Sequence, residues 1–375
     1  MRILHVTDCY LPRLGGIESH VADLVAQQRS EGHDARVLTP TPSGTGAADP
    51  DWVTRVSFPR VSVTGAGGAT RQVLDALAGA DVVHAHVSVF SPFAFGVARR
   101  AASRDVPTLV TVHSLWSPLG VLPALGGAVT GLADWPVQWS AVSEAAAAPV
   151  RRALGAGVEV LVLPNAVDPA RWRVARREPA GPPTIFSVMR FARTKRPLAL
   201  ARMLREVRAA LPAGAPLRAV LIGDGPQRPP VERFLERHAM RDWVELPGRL
   251  SRAEIRAAYA DAGLYVAPAE RESFGIAALE ARCAGLPVVA SRHGGVGSFI
   301  TPGVHGWLAD DDAAMVRAMV RLLTDRDGTA VIEAHNRVAP DDLDWPAASA
   351  RALDAYARAG RVATTPAHEL LGDAR

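Results

Sequence analysis

The chain predicts an α/β protein built as two parallel-sheet domains, and three observations carry that prediction. Short apolar runs alternate with longer Ala/Leu/Arg stretches at helical spacing, the pattern of parallel sheets flanked by helices. The alternation occurs in two series, separated by a proline-rich stretch of little periodicity from Asn165 to Pro183. The length, 375 residues, allows two domains, each with its own core.

In the first series the strands read as Ile3–Val6, Arg36–Thr39, Asp81–His84, Thr108–Val112, Trp139–Val142 and Glu159–Leu163. The first long helix starts near Gly16 and reaches about Gln28, ending before Gly32, with Val21, Leu24, Val25 and Gln28 on one buried face. The second series reads as strands Thr184–Val188, Arg218–Ile222, Val244–Leu246, Leu264–Ala267 and Val288–Ala290. Domain boundaries follow at 1–168, a linker at 169–183, a second domain at 184–340, a last helix within 341–360 and a frayed tail at 361–375. Two such domains facing each other create a cleft, and ligands in such sheets bind beyond the carboxyl ends of the strands.

Composition narrows the function classes. Apolar residues make up 48% and charged residues 21%, ordinary for a globular protein. The net charge of +4 is spread over scattered arginines with few aromatics, which fits anionic small ligands better than a nucleic-acid groove. Cys9 and Cys283 are too few and too far apart for a disulfide framework or a zinc site, so a reducing, cytosolic compartment is expected. The start Met1-Arg-Ile-Leu-His-Val-Thr-Asp8 lacks the apolar stretch of a signal peptide, and no run approaches the ~20 apolar residues of a membrane span.

The strongest local signal is Ala267-Pro-Ala-Glu-Arg-Glu272-Ser-Phe-Gly-Ile-Ala-Ala-Leu-Glu280-Ala-Arg-Cys-Ala-Gly285-Leu-Pro287-Val-Val-Ala290. A strand ends at Ala267, Ser273 is placed to cap a helix, and Gly285 with Pro287 stops it. The backbone N–H groups of Phe274, Gly275 and Ile276 then form an anion seat, with Glu272 at its mouth. Glu280 falls about 12 Å further along if the whole span is helical. One carboxylate on each side of a diphosphate suits a hexose and a ribose flanking a pyrophosphate.

This frame, Glu272-x7-Glu280 within Glu-Ser-Phe-Gly…Glu-Ala…Ala-Gly-x-Pro-Val-Val, resembles the signature of the family 4 retaining glycosyltransferases. The resemblance spans about residues 1–358 and implies the GT-B architecture. In it, two Rossmann-like domains face a central cleft, acceptor domain first and nucleotide-sugar donor domain second, and the C-terminal helix crosses back to the first domain. It implies a metal-independent, retaining hexosyl transfer from a UDP- or GDP-sugar to a hydroxyl acceptor, with no cofactor. A donor phosphate oxygen takes the acceptor proton in a front-side displacement.

Other segments fall in the family's order. Arg190-x4-Lys195 resembles its pyrophosphate clamp, two cations that stabilise the leaving diphosphate; Lys195 is the one lysine among 42 basic residues. Met189 stands where the family usually has glycine. Arg193 and Arg196 read as solvated charges. Gly15-Gly16-Ile17-Glu18 resembles the family's glycine turn, with Gly16 offering N–H to phosphate. It lacks the Gly-x-Gly-x-x-Gly of a dinucleotide fingerprint, which argues against an oxidoreductase. Gly223-Asp-Gly225 and Gly248-Arg249-Leu250 resemble the nucleobase loops. His113, just past the strand ending at Val112, resembles the histidine that approaches the donor sugar. Tyr10 and His86 are candidate acceptor contacts. Ser298 replaces a glutamate that the family carries after its Gly-Gly loop.

Asp310-Asp311-Asp312, after Gly306-Trp-Leu308 on a loop, reads as a helix start, not a metal motif. The apolar segment Leu115–Val129 is placed to contact a lipid acceptor or the inner membrane face, or to pack beneath the acceptor lobe. Acceptors compatible with the chain are lipid-linked, inositol or aminocyclitol, or natural-product hydroxyls. Alternative readings are a GT-B nucleotide-sugar epimerase, a sugar phosphorylase, or a non-catalytic nucleotide-sugar-binding protein.

Overall fold

The computed structural model describes residues 1–13, 15–44, 48–56, 71–116, 131–155, 157–175, 181–338 and 342–364. They divide into two units, Met1–Ala166 with Asp342–Arg375, and Val167–Asp341.

The first unit runs β1 (Arg2–Thr7), α1 (Gly16–Ser30), β2 (Asp34–Thr39), β3 (Val53–Arg55), α2 (Arg71–Ala78), β4 (Val82–Val87), α3 (Pro92–Ala102), β5 (Thr108–Val112), β6 (Gln138–Ala141), α4 (Glu144–Leu154) and β7 (Val160–Val162). Its seven strands lie in the order β3-β2-β1-β4-β5-β6-β7, paired parallel throughout. All six residues of β4 are buried, the mark of a strand covered on both faces. Ser143 caps α4 by accepting from the Ala146 N–H at 3.1 Å.

The second unit begins with α5 (Pro169–Trp172) and continues β8 (Thr184–Val188), α6 (Pro197–Ala210), β9 (Arg218–Ile222), α7 (Arg228–Arg237), β10 (Val244–Gly248), α8 (Arg252–Tyr259), β11 (Leu264–Ala267), α9 (Ile276–Cys283), β12 (Val288–Ser291), β13 (Gly306–Ala309), α10 (Asp312–Thr324) and α11 (Arg326–Asn336). Its six strands lie in the order β10-β9-β8-β11-β12-β13. Pro197 opens α6, where its missing N–H costs nothing. Leu200, Leu204 and Val207 recur at helical spacing and are fully buried, each contributing about 1.5–3 kcal/mol. The final helix, α12 (Trp345–Thr364), belongs to the first unit, where it packs on α1 and places Ala355 and Tyr356 in the core with Ile3 and Val21.

Several expectations need correcting. β4 continues to Val87, so His84 sits inside the strand and not at its end. Gly306–Ala309 is a strand, not a loop; the aspartates after it do start a helix, with Asp311 accepting from the Ala314 N–H at 2.6 Å. β3 was unread, being three residues long. Part of the stretch read as linker folds as α5, with Trp172 buried against Tyr259. The last helix extends to Thr364, four residues into the expected tail. Residues 117–130, most of the apolar segment, lie outside the described set. Among the described residues no helix is long and apolar enough to cross a membrane.

Candidate functional site

In both sheets the strand order reverses between two neighbours, β1 and β4 in one and β8 and β11 in the other. The carboxyl ends of such neighbours are where open α/β sheets bind ligands.

In the second unit the loop leaving β8 is knitted to the loops leaving β9 and β10. Met189 N–H donates to Ile222 O at 3.0 Å, Phe191 N–H to Asp224 O at 2.9 Å, and Gly223 N–H to Gly248 O at 2.7 Å. This approach requires glycine at 223, where φ is 131° and a Cβ would lie 1.9 Å from Met189 O. Phe191 is fully buried and anchors the loop, while Arg190 points outward and forms no ion pair among the described residues. Arg249 is exposed and Leu250 half-buried just after β10.

Lys195 closes a 3-10 turn, and its Nζ lies 2.5 Å from Glu272 Oε2. The next residue, Arg196, is not a solvated charge as its type suggested. It is half-buried, sits at φ 57°, and pairs with Glu270 at 3.1 Å, Asp312 at 2.9 Å and Pro268 O at 3.1 Å. Arg193 is exposed as expected.

The turn after β11 carries Glu272. Its carbonyl accepts from Gly295 N–H at 2.7 Å, which ties it to the glycine loop after β12. Ser298 in that loop turns its hydroxyl back to Gly295 O at 2.7 Å. Ser273 is not the helix cap. Gly275 is, at φ 96°, with no acidic residue in the first turn. Gly275 and Ile276, both half-buried, therefore present the electropositive end of a helix beside buried Phe274. Because α9 begins only at Ile276, the 12 Å helical separation of Glu272 and Glu280 does not apply. Both carboxylates lie near buried Tyr265: burial pushes its phenol upward, and Glu280 and then Glu272 add to that push.

In the first unit Gly16 starts α1, exposed and behind Gly15 as N-cap, and the Glu18 carboxylate in the first turn lies 3.3 Å from Arg13. Tyr10 is part of the first unit's core, with its backbone N–H on Thr41 Oγ1 at 3.0 Å. His86 is likewise buried, 1% exposed, with both ring nitrogens engaged.

His86 belongs to a cluster that sequence reading missed. His5 Nε2 meets Gln28 Oε1 at 2.8 Å, His5 Nδ1 meets His86 Nε2 at 3.0 Å, and His86 Nδ1 meets His113 Nε2 at 3.0 Å. His84 lies between Tyr356 OH at 2.9 Å and Thr111 Oγ1 at 2.7 Å. Burial keeps these rings neutral, holding His5 at about 4 and His113 at about 3 and pushing His20, His84 and His86 well down. His5, His84 and His86 also have the spacing of a metal set, yet all six of their ring nitrogens already have hydrogen-bond partners. A histidine inside the apolar run of β1, and two at i, i+2 on β4, were the legible signals.

Comparison with known proteins bears on both units. Residues 14–171 match the family model Glycosyltransferase Family 4, and residues 168–338 match Glycosyl transferases group 1. The chain is 28% identical to a glycogen synthase of Mycobacterium tuberculosis, covering 96% of this chain and 95% of that one. It is 31% identical to a D-inositol 3-phosphate glycosyltransferase of Xylanimonas cellulosilytica, over 74% of this chain and 72% of that one. Anabaena HepE, solved with UDP and glucose, shares the fold at a TM-score of 0.75 and 18% identity, covering 96% of this chain and all of that one. Two sheets with matching switch points, the Glu272-to-Glu280 frame and these relatives place the chain in the family 4 glycosyltransferases, with a GT-B fold.

Proposed function

We propose that the protein is a retaining, metal-independent transferase that moves a hexose from a UDP- or GDP-sugar to a hydroxyl acceptor. The observation that carries this is the Lys195–Glu272 contact beside the N-terminus of α9, at the β8/β11 switch. A lysine and a helix end supply positive charge where a diphosphate leaves, and the carboxylate beside them suits sugar hydroxyls. Arg190 and Lys195 take the pyrophosphate, and the N–H groups of Gly275 and Ile276 its oxygens. Glu272 orients the hexose and Glu280 the ribose. Gly223, Arg249 and Leu250 receive the base through backbone, Gly16 adds an N–H, and His113 contacts the sugar near the anomeric carbon. Because fixed protein charges hold the diphosphate, no metal or cofactor is needed, and a donor phosphate oxygen takes the acceptor proton.

HepE with UDP and glucose supports a nucleotide-sugar donor, and the relative acting on D-inositol 3-phosphate supports a polyol acceptor. The test is a thermal-shift panel of UDP, GDP, ADP and their hexose conjugates, with and without EDTA, since a ligand of the native state raises Tm. A shift with one diphosphate family that survives EDTA supports the reading and names the base. A shift abolished by EDTA overturns metal independence, and no shift with any of them overturns the donor assignment.

A further inference from the structure

The hydrogen bonds around the buried histidines form one chain whose direction can be read from its end. Ser140 Oγ donates to Val110 O at 3.3 Å, because a carbonyl only accepts. That direction has Ser140 accept from Thr111, 2.7 Å away, and it agrees with the Gln28 amide further along the chain, which donates to Tyr356. Thr111, its proton committed, accepts from His84 Nε2–H. Neutral His84 therefore has a lone pair on Nδ1 and accepts from Tyr356 O–H. The Tyr356 oxygen accepts from the Gln28 side-chain N–H at 3.1 Å, which turns Gln28 Oε1 toward His5. From there His5 donates through Nε2 and accepts at Nδ1 from His86 Nε2–H, and His86 accepts at Nδ1 from His113 Nε2–H.

We propose that this relay fixes His113 as the Nε2–H tautomer, so that Nδ1, the ring nitrogen left for a ligand, accepts a hydrogen bond from a hydroxyl of the donor sugar. Gln28 and Tyr356 are the positioning residues. The inference rests on the reading of His113 as a sugar contact and adds the polarity of that contact. The amide is the pivot: turned over, Gln28 would send the His5–His86–His113 arm the other way and present Nδ1–H to the sugar. Tyr356 blocks that turn, because its own proton is held by His84.

Nitrogen NMR of the full-length protein labelled with 15N-histidine reports the tautomer of each neutral ring, and loss of one pair of signals in His113→Gln assigns His113. The expected spectrum has Nε2 protonated and Nδ1 bare; a protonated Nδ1 overturns the relay. In Gln28→Met and Tyr356→Phe, His113 is expected to become a mixture of tautomers, with kcat lowered on the order of 10-fold and the donor KM changed less. A single Nε2–H tautomer in both folded variants removes the positioning role. Should neither variant fold, the wild-type spectrum still decides the direction. Adding UDP-glucose or GDP-mannose, whichever raises Tm, is expected to move the Nδ1 signal and leave Nε2 in place; an unmoved Nδ1 removes the sugar contact. If neither donor raises Tm, the donor assignment fails while the ligand-free spectrum still judges the relay.

Discussion

Lys195 Nζ and Glu272 Oε2 are 2.5 Å apart, joining the loop after β8 to the turn after β11. Both side chains are mostly sheltered, at 29% and 19% exposure, so each loses its counter-charge when the other is removed. Lys195→Ala is expected to lower turnover about 10²–10³-fold while the protein stays folded. Adding Glu272→Gln to it is expected to cost far less than the two single losses combined, because residues acting as a unit are not additive. Steady-state kinetics with circular dichroism checks this, and wild-type turnover in Lys195→Ala would falsify the assignment.

Gly223 is required by shape, not by chemistry. A methyl group there meets Met189 O at 1.9 Å, and φ is already 131°. Gly223→Ala is expected to lower stability by about 2 kcal/mol or more. It should also weaken nucleotide binding, since Arg190 follows Met189 in the loop that the methyl group would displace. Urea unfolding beside a UDP or GDP titration measures both; an unchanged midpoint rules out the close approach.

Arg196 separates backbone from charge. Its φ of 57° favours glycine, while its guanidinium links Glu270, Asp312 and Pro268 O. Arg196→Ala loses the contacts and keeps the unfavourable backbone, whereas Arg196→Gly loses only the contacts. The glycine variant should therefore be the more stable of the two by about 1 kcal/mol. Equal melting temperatures would count against the left-handed conformation.

The histidine cluster sets an acid limit. In the folded chain His5 sits at about 4 and His113 at about 3, against 6.5 when unfolded, with His20, His84 and His86 lowered as well. The unfolded state thus binds more protons below that value. The stabilisation is whole above about 6.5 and falls away as pH drops toward the folded values, by about 1.4 kcal/mol per ring for each pH unit. Urea midpoints between about pH 7 and pH 5 should decline before carboxylates begin to titrate. A flat midpoint across that window would mean the rings are not held neutral.

Fold class and most strands were legible because parallel strands buried on both faces leave short apolar runs between helical stretches. Thr184–Val188 and Leu264–Ala267 begin and end where their apolar runs do. β13 was not, since a strand opening on Gly306 and only four residues long looks like a turn. Arg196 was misread because residue type speaks for exposure on average, and only the fold brings Glu270 and Asp312 to it. The start of α9 was nearly legible, but the helix is entered from Gly275 and not Ser273, at a φ of 96° and with Val296 2.5 Å from where a Gly275 Cβ would stand, neither of which the sequence displays. The relay was illegible because its members are up to 328 residues apart, as Gln28 and Tyr356 are.

That separation bears on how the protein is made. The first unit holds Met1–Ala166 but is closed by α12, and Val167–Asp341 intervenes. A ribosome adding about 5–20 residues per second finishes the second unit while the first still lacks its last helix. Until Trp345–Thr364 emerges, the nascent first unit leaves apolar positions on α1 uncovered and His84 without its tyrosine. Emergence of Trp345–Thr364 is thus the step that closes the first core, and it comes after the whole of the second unit has been made.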